Sequence, residues 1–236
     1  VIACRASVRR RPPRALTSDE VRATVDDFAR AAENAMVAGF DGVEIHAANG
    51  YLFDQFRCPY LNDRADEYGG AARARWRFLL ETVEAVADTV GKAKVGVRIS
   101  PLGTAHEMQF DPAPLFAYGY LACQLDRLGI GYLHVYDQSG SWMHDPQSDL
   151  LQHLRACFSQ TLILCGGFDR ERAEAALRAD CGDLIAFGKH FIANPDLVQR
   201  LRIGAPLAPW DSATIYKGGA RGYVDYPTLE EAVGET

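Results

Sequence analysis

Five short apolar runs, each followed by a stretch with helical spacing, constrain this chain more than any other feature. The runs are Val43-Glu44-Ile45, Lys94 to Ile99, Tyr132 to Val135, Leu162 to Leu164 and Leu184 to Phe187. Helices are predicted over Arg73 to Val90, Pro114 to Leu128, Ser148 to Phe158 and Arg170 to Ala179. A last helix is predicted from Asn194-Pro195, where Pro suits the first turn. One more helix precedes the first run. Thr17-Ser18-Asp19-Glu20 reads as a capping box, and Val21, Val25, Phe28, Ala32 and Ala35 recur at helical spacing. Short apolar strands alternating with helices imply a parallel α/β sheet with both faces covered. On pattern alone, a doubly wound sheet and a barrel both remain open.

Composition narrows the function classes. The chain has 236 residues, 48% apolar and 24% charged, with a net charge of -6. That is the profile of a globular protein, and it gives no reason to expect nucleic acid or an anionic membrane as partner. No apolar run reaches the roughly 18 residues of a membrane span. The six cysteines are scattered, and none forms C-x-x-C, so neither a zinc nor an iron–sulfur site is suggested. They read as reduced thiols in a cytoplasmic protein.

In parallel α/β folds, chemistry gathers where strands end. After Leu162 to Cys165 come Gly166 and Gly167, and after Leu184 to Phe187 come Gly188 and Lys189. Such glycines let backbone N–H groups approach a phosphate, and Lys189 adds charge. The bland alternative is that they only turn the chain. In a barrel, phosphate is commonly held after strands seven and eight. On that count Val43-Glu44-Ile45 is strand four, and three strands would precede residue 1. Arg98 sits within an apolar strand and needs an anionic or hydrogen-bonding partner. Glu44 on a neighbouring strand and the edge of a cofactor are both candidates.

The sharpest signal is His46, Asn49 and Tyr51, directly after the first strand. A turn there can place His46 and Asn49 on one side, where both can donate to a single oxygen and stabilise an oxyanion. Tyr51 can then supply a proton as general acid. Each residue alone is more simply explained by packing or loop hydrogen bonding. The trio at a strand end points to function.

His46-Ala47-Ala48-Asn49-Gly50-Tyr51-Leu52 with Asp54-Gln55-Phe56 resembles the Old Yellow Enzyme family of flavin-dependent ene-reductases. Pro13-Arg14-Ala15-Leu16, Asp66-Glu67-Tyr68-Gly69-Gly70, Arg98-Ile99-Ser100-Pro101, Tyr132-Leu133-His134-Val135, Ala193-Asn194-Pro195-Asp196 and Gly222-Tyr223-Val224-Asp225 agree in the same order. The resemblance covers roughly residues 12 to 232, with 1–11 an atypical N-terminal segment. It implies a (β/α)8 TIM barrel, present here as an N-terminally truncated part with strands four to eight. It implies FMN as cofactor, NADPH or NADH as reductant and an activated alkene as substrate. His46 and Asn49 would hold the carbonyl oxygen, and Tyr51 would protonate the α-carbon. Arg98 would face the flavin's pyrimidine edge. Gly166, Gly167, Gly188 and Lys189 would surround its phosphate, with Tyr216 beside the cofactor. Lys189 stands where the family usually has Arg, which keeps the charge but loses the bidentate fork. Five strands would also leave two sheet edges open to self-association. A sugar-phosphate isomerase barrel would explain the glycine loops but not the trio. A dienoyl-CoA-reductase relative would need a cysteine cluster that is absent.

Overall fold

The computed structural model describes residues 14–140, 143, 145, 148–217 and 219–234. The atypical segment 1–11 and Cys4 lie outside them, as does part of the loop 138–147. The strands are β1 (Val43–Ala47), β2 (Val95–Ile99), β3 (Tyr132–Tyr136), β4 (Thr161–Cys165) and β5 (Leu184–Ala186). All pair in parallel, in the spatial order β1-β2-β3-β4-β5. A doubly wound sheet reverses strand order at a switch point. This sheet never reverses, so of the two layouts it takes the barrel's.

The helices are α1 (Ser18–Val37), α2 (Leu52–Arg57), α3 (Ala72–Arg75), α4 (Arg77–Val90), α5 (Pro114–Leu128), α6 (Asp149–Cys157), α7 (Arg170–Arg178), α8 (Lys189–Ala193), α9 (Leu197–Ile203) and α10 (Leu229–Gly234). Right-handed crossovers between strands in unbroken order put the connecting helices on one face. Burial along the strands records this. Ile45, Val97, Leu133, Val135, Leu162 and Leu164 are buried in one core with Val83, Val86, Leu121, Leu125, Leu151 and Leu154 of the helices. The alternate residues His46, Arg98, His134 and Tyr136 are only half-buried. The expectation of two covered faces is therefore corrected: among the described residues, helices cover one face, and the other is lined by half-buried polar side chains.

The Thr17 capping box forms as expected, and α5 starts on Pro114 and stops at left-handed Gly129. Two helix boundaries differ. The predicted helix Arg73 to Val90 breaks at buried Trp76, whose indole N–H donates to the Ala117 carbonyl at 2.9 Å. The last predicted helix begins at Leu197 rather than at Pro195. Asn194 and Asp196 are engaged elsewhere, accepting the N–H groups of Ala208 and Leu229 at 2.8 Å each.

Candidate active site

The uncovered sheet face is polar. Strand register aligns His46, Arg98 and His134 in one row across β1, β2 and β3, and aligns Glu44, Gly96 and Tyr132 in the row below. His134 Nδ1 meets Glu44 Oε2 at 3.0 Å. The Tyr132 hydroxyl also reaches Glu44, and burial together with that carboxylate pushes the phenol up to about 12. Burial works against the charge on Glu44, but His134, Tyr132 and Arg98 outweigh it and hold the carboxyl below its ordinary value. Burial likewise works against a charged His134, yet the neighbouring Cys165 and the hydrogen bond to Glu44 raise its pKa.

Arg98 makes no ion pair among the described residues. Its guanidinium lies 4.7 Å from the ring centroid of Tyr136, two positions beyond His134 on β3. A cation over an aromatic face is stabilised while its N–H groups remain free for another partner. Glu44, the candidate structural partner from sequence, is taken up by His134 and Tyr132 instead. Burial first, then the charge of Arg98, lower the pKa of His46. The imidazole is thus neutral at neutral pH, with one N–H to donate.

The turn after β1 is held from several directions. Asn49 is left-handed, with φ 57°, and its N–H donates to the Ser100 hydroxyl at 2.8 Å. Its carbonyl accepts from His106 Nδ1 at 2.8 Å. Gly50 also has positive φ, and a Cβ there would lie 2.7 Å from the Ala105 carbonyl oxygen, so no other residue fits without displacement. Asp54 accepts the Gly50 N–H at 2.9 Å and is fixed in turn by Arg57, at 2.6 Å and 3.0 Å. Within this frame the rings of His46 and Tyr51 stand 5.1 Å apart, and the far side of Tyr51 meets His106 at 5.3 Å. The Asn49 side-chain oxygen is buried with no protein partner.

The remaining loops join this rim in sequence. Gln138 after β3 accepts from Thr104 and Ala105 after β2, at 2.6 Å and 3.0 Å. Buried Asp137 accepts the N–H groups of Ser139 and Gly140 at 2.9 Å and 3.0 Å. Its carbonyl would lie 2.3 Å from a Cβ at Gly166, whose φ is 137°. Gly167 follows with φ 63°. Just after the adjacent strand, Gly188 caps the start of α8, with open space where a Cβ would be. Lys189 follows it, its ammonium 4.7 Å from the Trp210 ring. Tyr216 is exposed and left-handed, with its N–H donating to the Tyr223 hydroxyl at 2.9 Å. It lies near enough to Tyr136 to act on that phenol electrostatically.

The structure thus brings His46, Asn49, Tyr51 and Arg98 together, and puts Gly166 and Gly167 directly after β4 and Gly188 and Lys189 just after its neighbour β5. Sequence reading missed Ser100, His106, Gln138 and Tyr136 as contributors. Only Tyr136 left a usable signal, as the third term of the alternation Tyr132, His134, Tyr136.

Residues 3–208 match the family model described as the NADH:flavin oxidoreductase / NADH oxidase family. The chain is 43% identical over 222 residues to 12-oxophytodienoate reductase 2 of Arabidopsis thaliana, covering 93% of this chain and 59% of that protein. It is 43% identical to a chanoclavine-I aldehyde reductase of Penicillium roqueforti, covering 91% and 60%. Among solved structures, morphinone reductase in complex with tetrahydroNAD superposes with TM-score 0.87 at 42% identity, over 93% of this chain and 59% of that one. An old yellow enzyme homologue from Zymomonas mobilis gives TM-score 0.85 at 40% identity, over 92% and 61%. The chain therefore spans about three fifths of the length of these relatives.

Proposed function

This chain belongs to the NADH:flavin oxidoreductase / NADH oxidase family, that of the Old Yellow Enzymes, and from that premise we propose that its site serves FMN-dependent reduction of C=C bonds in α,β-unsaturated carbonyls or related activated alkenes, with NADPH or NADH as reductant. One observation carries the reading. A half-buried Arg98 with no carboxylate partner among the described residues shares a strand-end rim with His46, Asn49 and Tyr51. An unpaired guanidinium facing an uncovered polar sheet suits an anionic, planar cofactor. Open space at Gly188, beside Gly167 and Lys189, suits its phosphate. These residues fit FMN, which when bound supplies hydride to the alkene's β-carbon.

The chain's own groups do the rest. Neutral His46 and the Asn49 amide donate to the carbonyl oxygen, so negative charge developing there is stabilised more than in the ground state. The Tyr51 hydroxyl delivers a proton to the α-carbon. Arg98 would face the flavin's pyrimidine edge, Gly166, Gly167, Gly188 and Lys189 would surround its phosphate, and Tyr216 would lie beside the cofactor. The net charge of -6 favours a small molecule over nucleic acid as partner. Among the described residues no helix is long and apolar enough to cross a membrane, and we place the protein in the cytoplasm.

The test is a visible spectrum of the purified chain with added FMN, followed by NADPH and then cyclohexenone. Retained yellow colour, bleaching by NADPH and recovery on adding the enone are expected. Tyr51→Phe should slow the recovery about 100-fold or more while leaving bleaching intact. Absence of bound flavin would reject activity for this chain. A second reading is favoured by the edges of β1 and β5, unpaired among the described residues, and by Leu184, 53% exposed on β5. In that reading the chain binds flavin weakly and self-associates through those edges. A monodisperse monomer by light scattering, with a cooperative melt, would exclude it.

A further inference from the structure

Away from the strand-end rim, helices α5 and α6 carry two thiols in matching positions. Both helices return between parallel strands, so they run in the same direction side by side. Their register is set at two heights. A Cβ at Gly119 of α5 would lie 2.1 Å from His153 Nε2 of α6, so the imidazole occupies the space over that glycine. At the far end, Asp126 accepts the N–H and hydroxyl of Ser159 at 2.8 Å and 2.7 Å. One turn beyond Gly119 is Cys123, and one turn beyond His153 is Cys157. Between the two ties the thiols stand near enough for Cys123 to act on the titration of Cys157. His153 Nε2 stands 3.9 Å from the Cys157 sulfur. Both thiols are free and only half-buried.

Helices packed in this register can bring facing thiols within covalent reach. Helix axes packed over small residues come within about 8 Å. With Cα atoms about 2.3 Å from each axis, facing Cα atoms lie about 3.4 Å apart at that spacing and about 5.4 Å apart at the roughly 10 Å upper end of helix packing, a range that overlaps the span of a disulfide. We propose that Cys123 and Cys157 are a site of reversible oxidation, forming a disulfide that clamps α5 to α6. The proposal does not rest on flavin binding.

Small disulfides are the class of oxidant. The Cys123 thiolate attacks one sulfur of the small disulfide, forming a mixed disulfide and releasing one thiolate. Cys157 then gives up its proton and attacks the Cys123 sulfur, releasing the second thiolate. Two protein thiols are oxidised and one small disulfide is reduced to two thiols. Burial, then the neighbouring Cys123, push the Cys157 thiol up to about 11, so Cys157 is a poor first attacker.

The test treats the full chain with oxidised glutathione, blocks remaining thiols with N-ethylmaleimide and maps tryptic peptides. Fragmentation must separate Cys157 from Cys165, which share a peptide. A Cys123–Cys157 link that dithiothreitol reverses is expected, together with a glutathione adduct trapped on Cys123 in Cys157→Ser. Separate adducts on both cysteines of the wild-type chain without a link would overturn the proposal. So would links among the other cysteines at comparable yield. The wild-type map alone decides, whatever the variant's stability.

Discussion

Gly96→Ala tests the polar sheet face at its narrowest point. Tyr132 reaches from β3 across β2 to the carboxylate of Glu44 on β1, and its ring lies directly over Gly96. A Cβ at that position would stand 2.1 Å, 2.2 Å and 2.5 Å from three ring carbons. Ordinary carbon contacts are about 3.5–4.0 Å, so the ring must move by more than an ångström. If it stays over the strand, overpacking costs about 1–3 kcal/mol. If it swings away, the phenol's interaction with charged Glu44 is lost, at up to about 3 kcal/mol. Either route gives a loss of about 1–3 kcal/mol, read as a lower urea midpoint at unchanged m-value. The cause is isolated by repeating the substitution in Tyr132→Ala. With the ring gone, Ala in place of Gly should be neutral or stabilising by about 0.5–1 kcal/mol, through reduced chain entropy. The coupling between the two positions should therefore exceed about 1 kcal/mol. Equal destabilisation by Gly96→Ala in both backgrounds would refute the reasoning, since the cost would then lie in the backbone and not in the ring.

Ser100→Ala should leave the half-buried Asn49 N–H without its acceptor and cost about 1–3 kcal/mol by urea unfolding; a loss below about 0.3 kcal/mol would mean the turn is held without it. Arg57→Ala should cost about 3–5 kcal/mol, because Asp54 would remain buried and unpaired beneath the turn. The Glu44–His134 pair predicts a stability window in pH. Glu44 has a lowered pKa, so its contribution is complete above its ordinary 4.5 and is lost as pH falls through the folded value. His134 has a raised pKa, so its contribution is complete below its ordinary 6.5 and is lost as pH rises through the folded value. The stability difference between wild type and Glu44→Gln should peak between those limits. A difference that keeps growing above pH 8 would show that His134 does not titrate with Glu44.

How far such a site can be read from sequence depends on whether its parts are local. The turn after β1 was legible because its determinants sit within ten residues: an apolar run, a histidine, the Asn-Gly pair and an aromatic. Asn-Gly signals positive φ by itself, and both residues adopt it. What holds the turn was not legible. Ser100 is 51 residues from Asn49 and His106 is 57 from it, and nothing in either local sequence names the partner. The polar sheet face lies between these cases. Alternation in Val-Gly-Val-Arg-Ile and Tyr-Leu-His-Val-Tyr assigns Arg98, His134 and Tyr136 to one face by period two alone. It does not say which residues share a row. That requires strand order and register, and a one-residue slip would send Arg98 to the helix side. Once the order is known to be unbroken, His46, Arg98 and His134 fall in line. Glu44, 90 residues from His134, then becomes the natural counter-charge. Sequence offered Glu44 as the structural partner of Arg98. The register gives that carboxylate to His134 and Tyr132 and leaves the guanidinium free. In physical terms, this is why Arg98 belongs to the candidate site and not to the scaffold beneath it.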